Sequence, residues 1–162
     1  MEKYRFNVAR IVGDNASTNE KMFRMWSPNG NLFPFIQHPF DEDQLLFFSF
    51  DYTHTLKNIR NLQADRIFDI CGQPVSFKLV RRVQEIQKKF PFFRPYRNLT
   101  DEHTNPNTLD RMKVRLAHDV FSDELIATFE MFKKYGAEGF TNEANVNATI
   151  TFMKHVFFKF TM

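Results

Sequence analysis

The chain has 162 residues, 43% of them hydrophobic and 25% charged, with a formal net charge of +3 and a pI of about 9.0. That length suits one ordinary domain or pieces of two, and the composition excludes disordered and collagen-like classes. No apolar run reaches the roughly 20 residues of a membrane span, MEKYRFNVAR lacks the apolar core of a leader, and one Cys excludes a disulfide framework or zinc ribbon, so an intracellular protein is expected.

Residues 6–12, FNVARIV, predict a strand. Gly13-Asp14-Asn15 breaks it, and Ala16-Ser17-Thr18-Asn19 offers a helix start, with Met22, Phe23, Met25 and Trp26 as its apolar face. Residues 31–43 read as a loop holding Pro34, Pro39 and the acidic trio Asp41, Glu42 and Asp43. LLFFSF, residues 45–50, is apolar almost throughout and reads as a strand buried on both faces. A helix is expected over about 52–69. Gly72 and Pro74 then punctuate the chain, and Val75, Leu79, Val83, Ile86 and Phe90 mark an amphipathic helix opened by Pro74. Residues 91–107 form a Pro/Asn-rich connection. Three further helices follow: one over about 108–121, one capped by Ser122 and stopping near Gly136, and one capped by Thr141 or Asn142 and carrying Val146, Ile150, Met153 and Phe157.

The first part therefore looks α/β and the rest helical, with a boundary near residue 70. Charge is uneven: residues 51–100 hold ten Lys and Arg against four Asp and Glu, a basic block able to meet phosphates or simply to form a solvated face. The 21 Phe exceed what a core of this size readily buries, so some should face a neighbour outside this chain.

Asp51 is the sharpest chemical position. It ends a strand and precedes a helix, the place where open α/β sheets hold ligands and where a carboxylate can take Mg²⁺. It can equally be a helix cap. On the helix that follows, His54, Asn58 and Asn61 are spaced i, i+4, i+7 on one face, with Lys57 and Arg60 beside it, a set suited to phosphate or to plain surface charge. Asp14 could line the same edge or serve only its turn. Cys71 beside Gly72 is expected to be buried and inert, and His38, His54, His103, His118 and His155 show no zinc spacing with it. No GxxxxGK[ST] or GxGxxG stretch occurs.

Taken together, Asp51-Tyr52-Thr53-His54-Thr55-Leu56-Lys57-Asn58-Ile59-Arg60-Asn61 resembles the D-x-x-H-x-x-K-N-x-R-N segment of P-element-type transposases, the group that includes THAP-domain transposases. Gly13-Asp14-Asn15-Ala16-Ser17-Thr18-Asn19 is similar to their D-G/N-A-S-x-N turn, and His38-Pro39 also fits. Leu99-Thr100-Asp101-Glu102-His103 through Pro106, and Arg111-Met112-Lys113-Val114 through Ser122, resemble the L-T-x-x-H-x-x-P and K-M-x-V stretches.

The resemblance implies an α/β fragment of an RNase H-like fold over 1–70, followed by a mostly α-helical GTP-binding insertion domain over 71–162. It implies Mg²⁺-dependent DNA cleavage and strand transfer in the parent, with GTP as bound cofactor, transposon-end DNA as partner, possible self-association, no membrane and a nuclear location. Asp51 would be the second catalytic Asp and a Mg²⁺ ligand. Lys113 and Val114 would contact the nucleotide. Asn98 stands where the family usually has Lys. The first catalytic Asp would lie before Met1 and the catalytic Glu after Met162, so this chain by itself is expected to lack catalysis; one Cys cannot build a THAP domain. Two readings stay open beside it: a domesticated nucleic-acid or nucleotide-binding module, and a helical protein-interaction domain.

Overall fold

A computed structural model describes residues 8–161. The chain divides into two compact units, one ending at Thr55 and the other beginning at Leu56.

The first unit is a three-stranded sheet with one helix. β1 (Arg10–Gly13) pairs parallel with β3 (Asp41–Phe50), and β2 (Phe35–His38) pairs antiparallel with β3 on its other side. Of the strand expected over 6–12, Arg10, Ile11 and Val12 lie in β1, which runs on through Gly13 where a break was expected; Val8 and Ala9 precede it, and Phe6 and Asn7 lie outside the described residues. β2 and the start of β3 fall where a loop was expected. Pro39 and the acidic trio mask a strand pair whose register shifts between Gln37 and His38. β3 is also buried on one face rather than two. Leu46 and Phe48 point inward, whereas Leu45 and Phe47 are exposed, the period-2 pattern of a sheet covered on one side. α1 (Ser17–Trp26) supplies that cover: Phe23 is fully buried and stacks on Phe48, with ring centroids 4.7 Å apart.

α2 (Tyr52–Asp65) contains the division between the units and ends before the predicted residue 69. A hairpin follows, β4 (Phe68–Ile70) and β5 (Gln73–Val75). Its two turn residues, Cys71 and Gly72, both take positive φ, 53° and 78°, as a tight two-residue hairpin loop requires. Cys71 is exposed there rather than buried. Pro74 sits in β5, a strand with a free side where its missing N–H costs little. α3 (Lys78–Lys89) therefore starts three residues later than Val75 suggested, and Val75 is buried from the hairpin instead.

The other helices are α4 (Asp101–Thr104), α5 (Val114–Val120), α6 (Asp123–Lys134) and α7 (Glu143–Thr161). Ser122 caps α6 as predicted, its Oγ accepting the Leu125 N–H at 3.3 Å. Asn142 precedes α7 and its Oδ1 accepts the Asn145 N–H. α7 packs against β5 and α6. The core of this unit includes Leu56, Val80, Val83, Leu125, Phe129, Phe140 and Met153. Among the described residues eight Phe remain exposed: 33, 35, 40, 47, 90, 92, 93 and 158.

Candidate functional site

Asp51 lies at the C-terminal end of β3, next to the end of its parallel neighbour β1; its main-chain N–H donates to the Gly13 carbonyl at 2.7 Å. Its Oδ1 accepts both the Thr53 N–H at 2.8 Å and the Thr53 hydroxyl at 2.9 Å. Asp51 thus caps α2. Those hydrogen bonds, with a smaller contribution from His54, hold its carboxyl below the usual carboxylate range. Oδ2 takes part in neither bond and is the atom left to meet a cation.

Asp14 serves its turn. Its Oδ1 accepts the Ala16 N–H at 3.0 Å and the Asn19 side-chain amide at 2.7 Å. The turn is tied to α2 through the Thr55 hydroxyl, 3.2 Å from Asn15 Oδ1. Asp14 and Asp51 therefore follow neighbouring parallel strands, as the sequence suggested. Among the described residues no three or more His, Cys, Asp or Glu gather as metal ligands. Asp51 fits one Mg²⁺ contact, and the described residues do not by themselves build a two-ion centre.

The polar set on α2 separates in the structure. Asn58 is exposed, and His54 and Lys57 are half-buried. Arg60 does not share their surface. It is 0% exposed on the inward stripe Leu56–Arg60–Gln63, the i, i+4, i+7 face of the helix. Its Nη2 donates to the carbonyls of Asp110 at 3.0 Å and Arg111 at 3.3 Å. Burial, with the Arg111 charge second, lowers its pKa, while Asp110 opposes the shift. The Asn61 amide donates to the same Arg111 carbonyl at 3.2 Å, and the Arg111 guanidinium forks onto Asp65 with two 2.7 Å bonds. α2 thus grips the Asp110–Met112 turn at three points.

That turn presents Lys113. The helix expected over 108–121 is broken here: Lys113 is extended and α5 begins at Val114. Lys113 Nζ reaches Asp110 Oδ1 at 2.8 Å and Glu102 Oε2 at 3.0 Å. These bonds raise its pKa, Asp110 contributing most, and Lys113 in turn lowers that of Asp110. Asp110 is nearly buried, 7% exposed at the side chain, whereas Glu102 is 49% exposed. Glu102 is the weaker tether, because a solvent-facing pair contributes little. A phosphate could therefore replace Glu102 on Lys113 while Asp110 keeps the ammonium in place. Val114 is half-buried and Asn98 is exposed, its side chain beside the Tyr96 hydroxyl. No hydrogen bond among the described residues joins Asn98 to Lys113.

Sequence reasoning missed the partners Glu102 and Asp110. The i, i+3 spacing of Asp110 and Lys113 was the available signal. The L-T-x-x-H stretch proves to be a capping arrangement: the Thr100 N–H donates to His103 Nδ1 at 3.0 Å, and the buried His103 places Nε2 3.0 Å from Asp119 Oδ2.

Residues 53–160 match the family described as TNP-like, GTP-binding insertion domain. The chain belongs to this family. The domain's chain is 26% identical over 118 residues to the Transposable element P transposase of Drosophila melanogaster, covering 72% of this chain and 15% of that protein. Its fold matches a chain of the Drosophila P element transposase strand transfer complex with a TM-score of 0.80 at 22% identity, covering 96% of this chain and 34% of the other. The kinship with P-element-type transposases that the motifs implied is thus confirmed. This TNP-like chain spans about a seventh of the curated relative it matches.

Proposed function

We propose that this chain is the central part of a P-element-type transposase activity: an RNase H-like sheet edge presenting Asp51, joined to an insertion domain that holds GTP. The observation that carries the reading is the family match over 53–160, together with Asp51 at the end of the strand beside β1. When bound, Mg²⁺ would supply an activated water for phosphodiester cleavage. This chain's own contribution is to hold the Asp51 carboxylate ionised and fixed by Thr53 at the head of α2. Lys113 would meet a nucleotide phosphate by exchanging Glu102 for it, held meanwhile by Asp110. Transposon-end DNA as substrate, assembly with further copies and action in the nucleus belong to the same proposal. The chain alone is expected to show no cleavage, since no cluster of three or more ligating side chains gathers around Asp51 among the described residues and two ions need more than one carboxylate.

A thermal melt with Mg²⁺-GTP, with Mg²⁺-ATP as control, tests the nucleotide half. Ligand at about 100 times its dissociation constant adds about 2.7 kcal/mol. Stabilisation by GTP and not ATP, lost in Lys113→Ala, is expected. A melt indifferent to both nucleotides would overturn that half of the proposal. Cleavage of DNA by this chain with Mg²⁺ or Mn²⁺, abolished by Asp51→Asn, would overturn the expected inactivity; Asn keeps the helix cap, so such a loss would be chemical rather than structural.

A further inference from the structure

The segment from Lys88 to Arg97, KKFPFFRPYR, has no part in the site above. It joins the end of α3 to the approach to α4 and contains no Asp or Glu. Its ends are fixed. The Phe90 N–H closes the last turn of α3 on Ile86 at 2.9 Å. At the other end Tyr96 is buried, its N–H donating to Gln87 Oε1 at 2.9 Å and its hydroxyl to the Asp119 carbonyl at 2.7 Å. Between these anchors the Phe93 N–H bonds the Phe90 carbonyl at 2.9 Å, and two prolines stiffen the backbone.

The anchored loop turns aromatic rings outward. Phe92 is fully exposed and Phe90 about half exposed. Around them stand Lys89, Arg94 and Arg97, all exposed, and none is paired with a carboxylate among the described residues. Phe92, Arg94 and Arg97 border a shallow hollow of about 560 Å³. A fully exposed ring costs free energy in a monomer unless it has a use. Cations without counter-charges beside it select against an acidic-poor apolar partner and favour a polyanion whose units carry a flat face. A single nucleic-acid strand has both, a phosphate and a base per residue.

We propose that Lys88–Arg97 is a platform for single-stranded nucleic acid, with a base stacked on Phe92 and phosphates on Arg94 and Arg97. GTP plays no part in it, so it stands or falls apart from the nucleotide reading.

The test is fluorescence anisotropy of the full chain with a labelled oligothymidylate of about 20 nucleotides across a salt series. Phe92→Ala should weaken binding about 5- to 150-fold, the worth of one base–aromatic stack, and leave the salt slope unchanged. Arg94→Ala with Arg97→Ala should flatten the slope of log affinity against log salt by about 1.4, since two phosphate contacts are lost. Lys133→Ala with Lys134→Ala removes the same charge from α6 and should leave the slope as it was. These side chains lie at the surface, so unchanged melts will show that the variants fold. No binding by the parent chain, an inert Phe92→Ala, or equal losses in the two double variants would each overturn the proposal. Concentration-dependent self-association without oligonucleotide, abolished by Phe92→Ala while binding persists, would overturn it in favour of a protein-docking surface.

Discussion

Tyr96 has its phenol in the core with the hydroxyl on the Asp119 carbonyl. Burial, reinforced by the charges of Asp119 and Glu124, pushes its pKa up to about 12 from an ordinary 10.0. The folded chain then keeps a proton that the unfolded chain gives up, so this contribution is complete below pH 10 and is lost as pH rises towards 12. Urea titrations at stepped alkaline pH should show the parent losing about 2 kcal/mol more than Tyr96→Phe between pH 9 and 12. Gln63 is the opposite case. It is buried, and its Oε1 and Nε2 find no hydrogen-bond partner among the described residues. Gln63→Met keeps the volume and removes two costly polar atoms; stability is expected to rise by about 1–2 kcal/mol, read from the urea midpoint. Asp51 has its carboxyl pKa held down, so what it adds to stability is present above the ordinary carboxylate range and fades on acidification through the lowered value.

Elements show how far pattern carries. α6 was legible at both ends because its signals are local: Ser122 at the cap, Asp123 and Glu124 in the first turn, Lys133 and Lys134 in the last. Ser122→Ala should cost about 1 kcal/mol, measured by chemical denaturation. β4 and β5 were illegible because three-residue strands carry no period, and Val75 happened to continue the spacing of α3. α2 was legible as a helix, but which of its polar residues turns inward was not. Arg60 is buried through carbonyls at Asp110 and Arg111, 50 and 51 residues away in the chain, and nothing local announces them. Asp51 was legible because a strand-to-helix junction is itself local. Lys113 came from motif resemblance, while its tethers to Glu102 and Asp110 came only with the fold.

The two units differ in how much they bury. The first has Phe23, Leu46 and Phe48 at its centre; the second has a continuous core reaching from Leu56 to Val156. Little buried apolar area leaves little to offset chain entropy. Amide hydrogen exchange should therefore be slower in α6 and α7 than in β1, β2 and β3; equal protection throughout would show that the first unit draws its stability from something other than its own core.

The hairpin tip has a practical side. Cys71 is the chain's only thiol and stands exposed on a tight turn. A disulfide between two copies of this chain must join them tip to tip, so air oxidation of the purified chain in storage yields a covalent dimer that reductant dissolves and that says nothing of natural assembly. The same uniqueness makes the tip a ready-made attachment point: one maleimide dye marks one address, with no cysteine to engineer in or out.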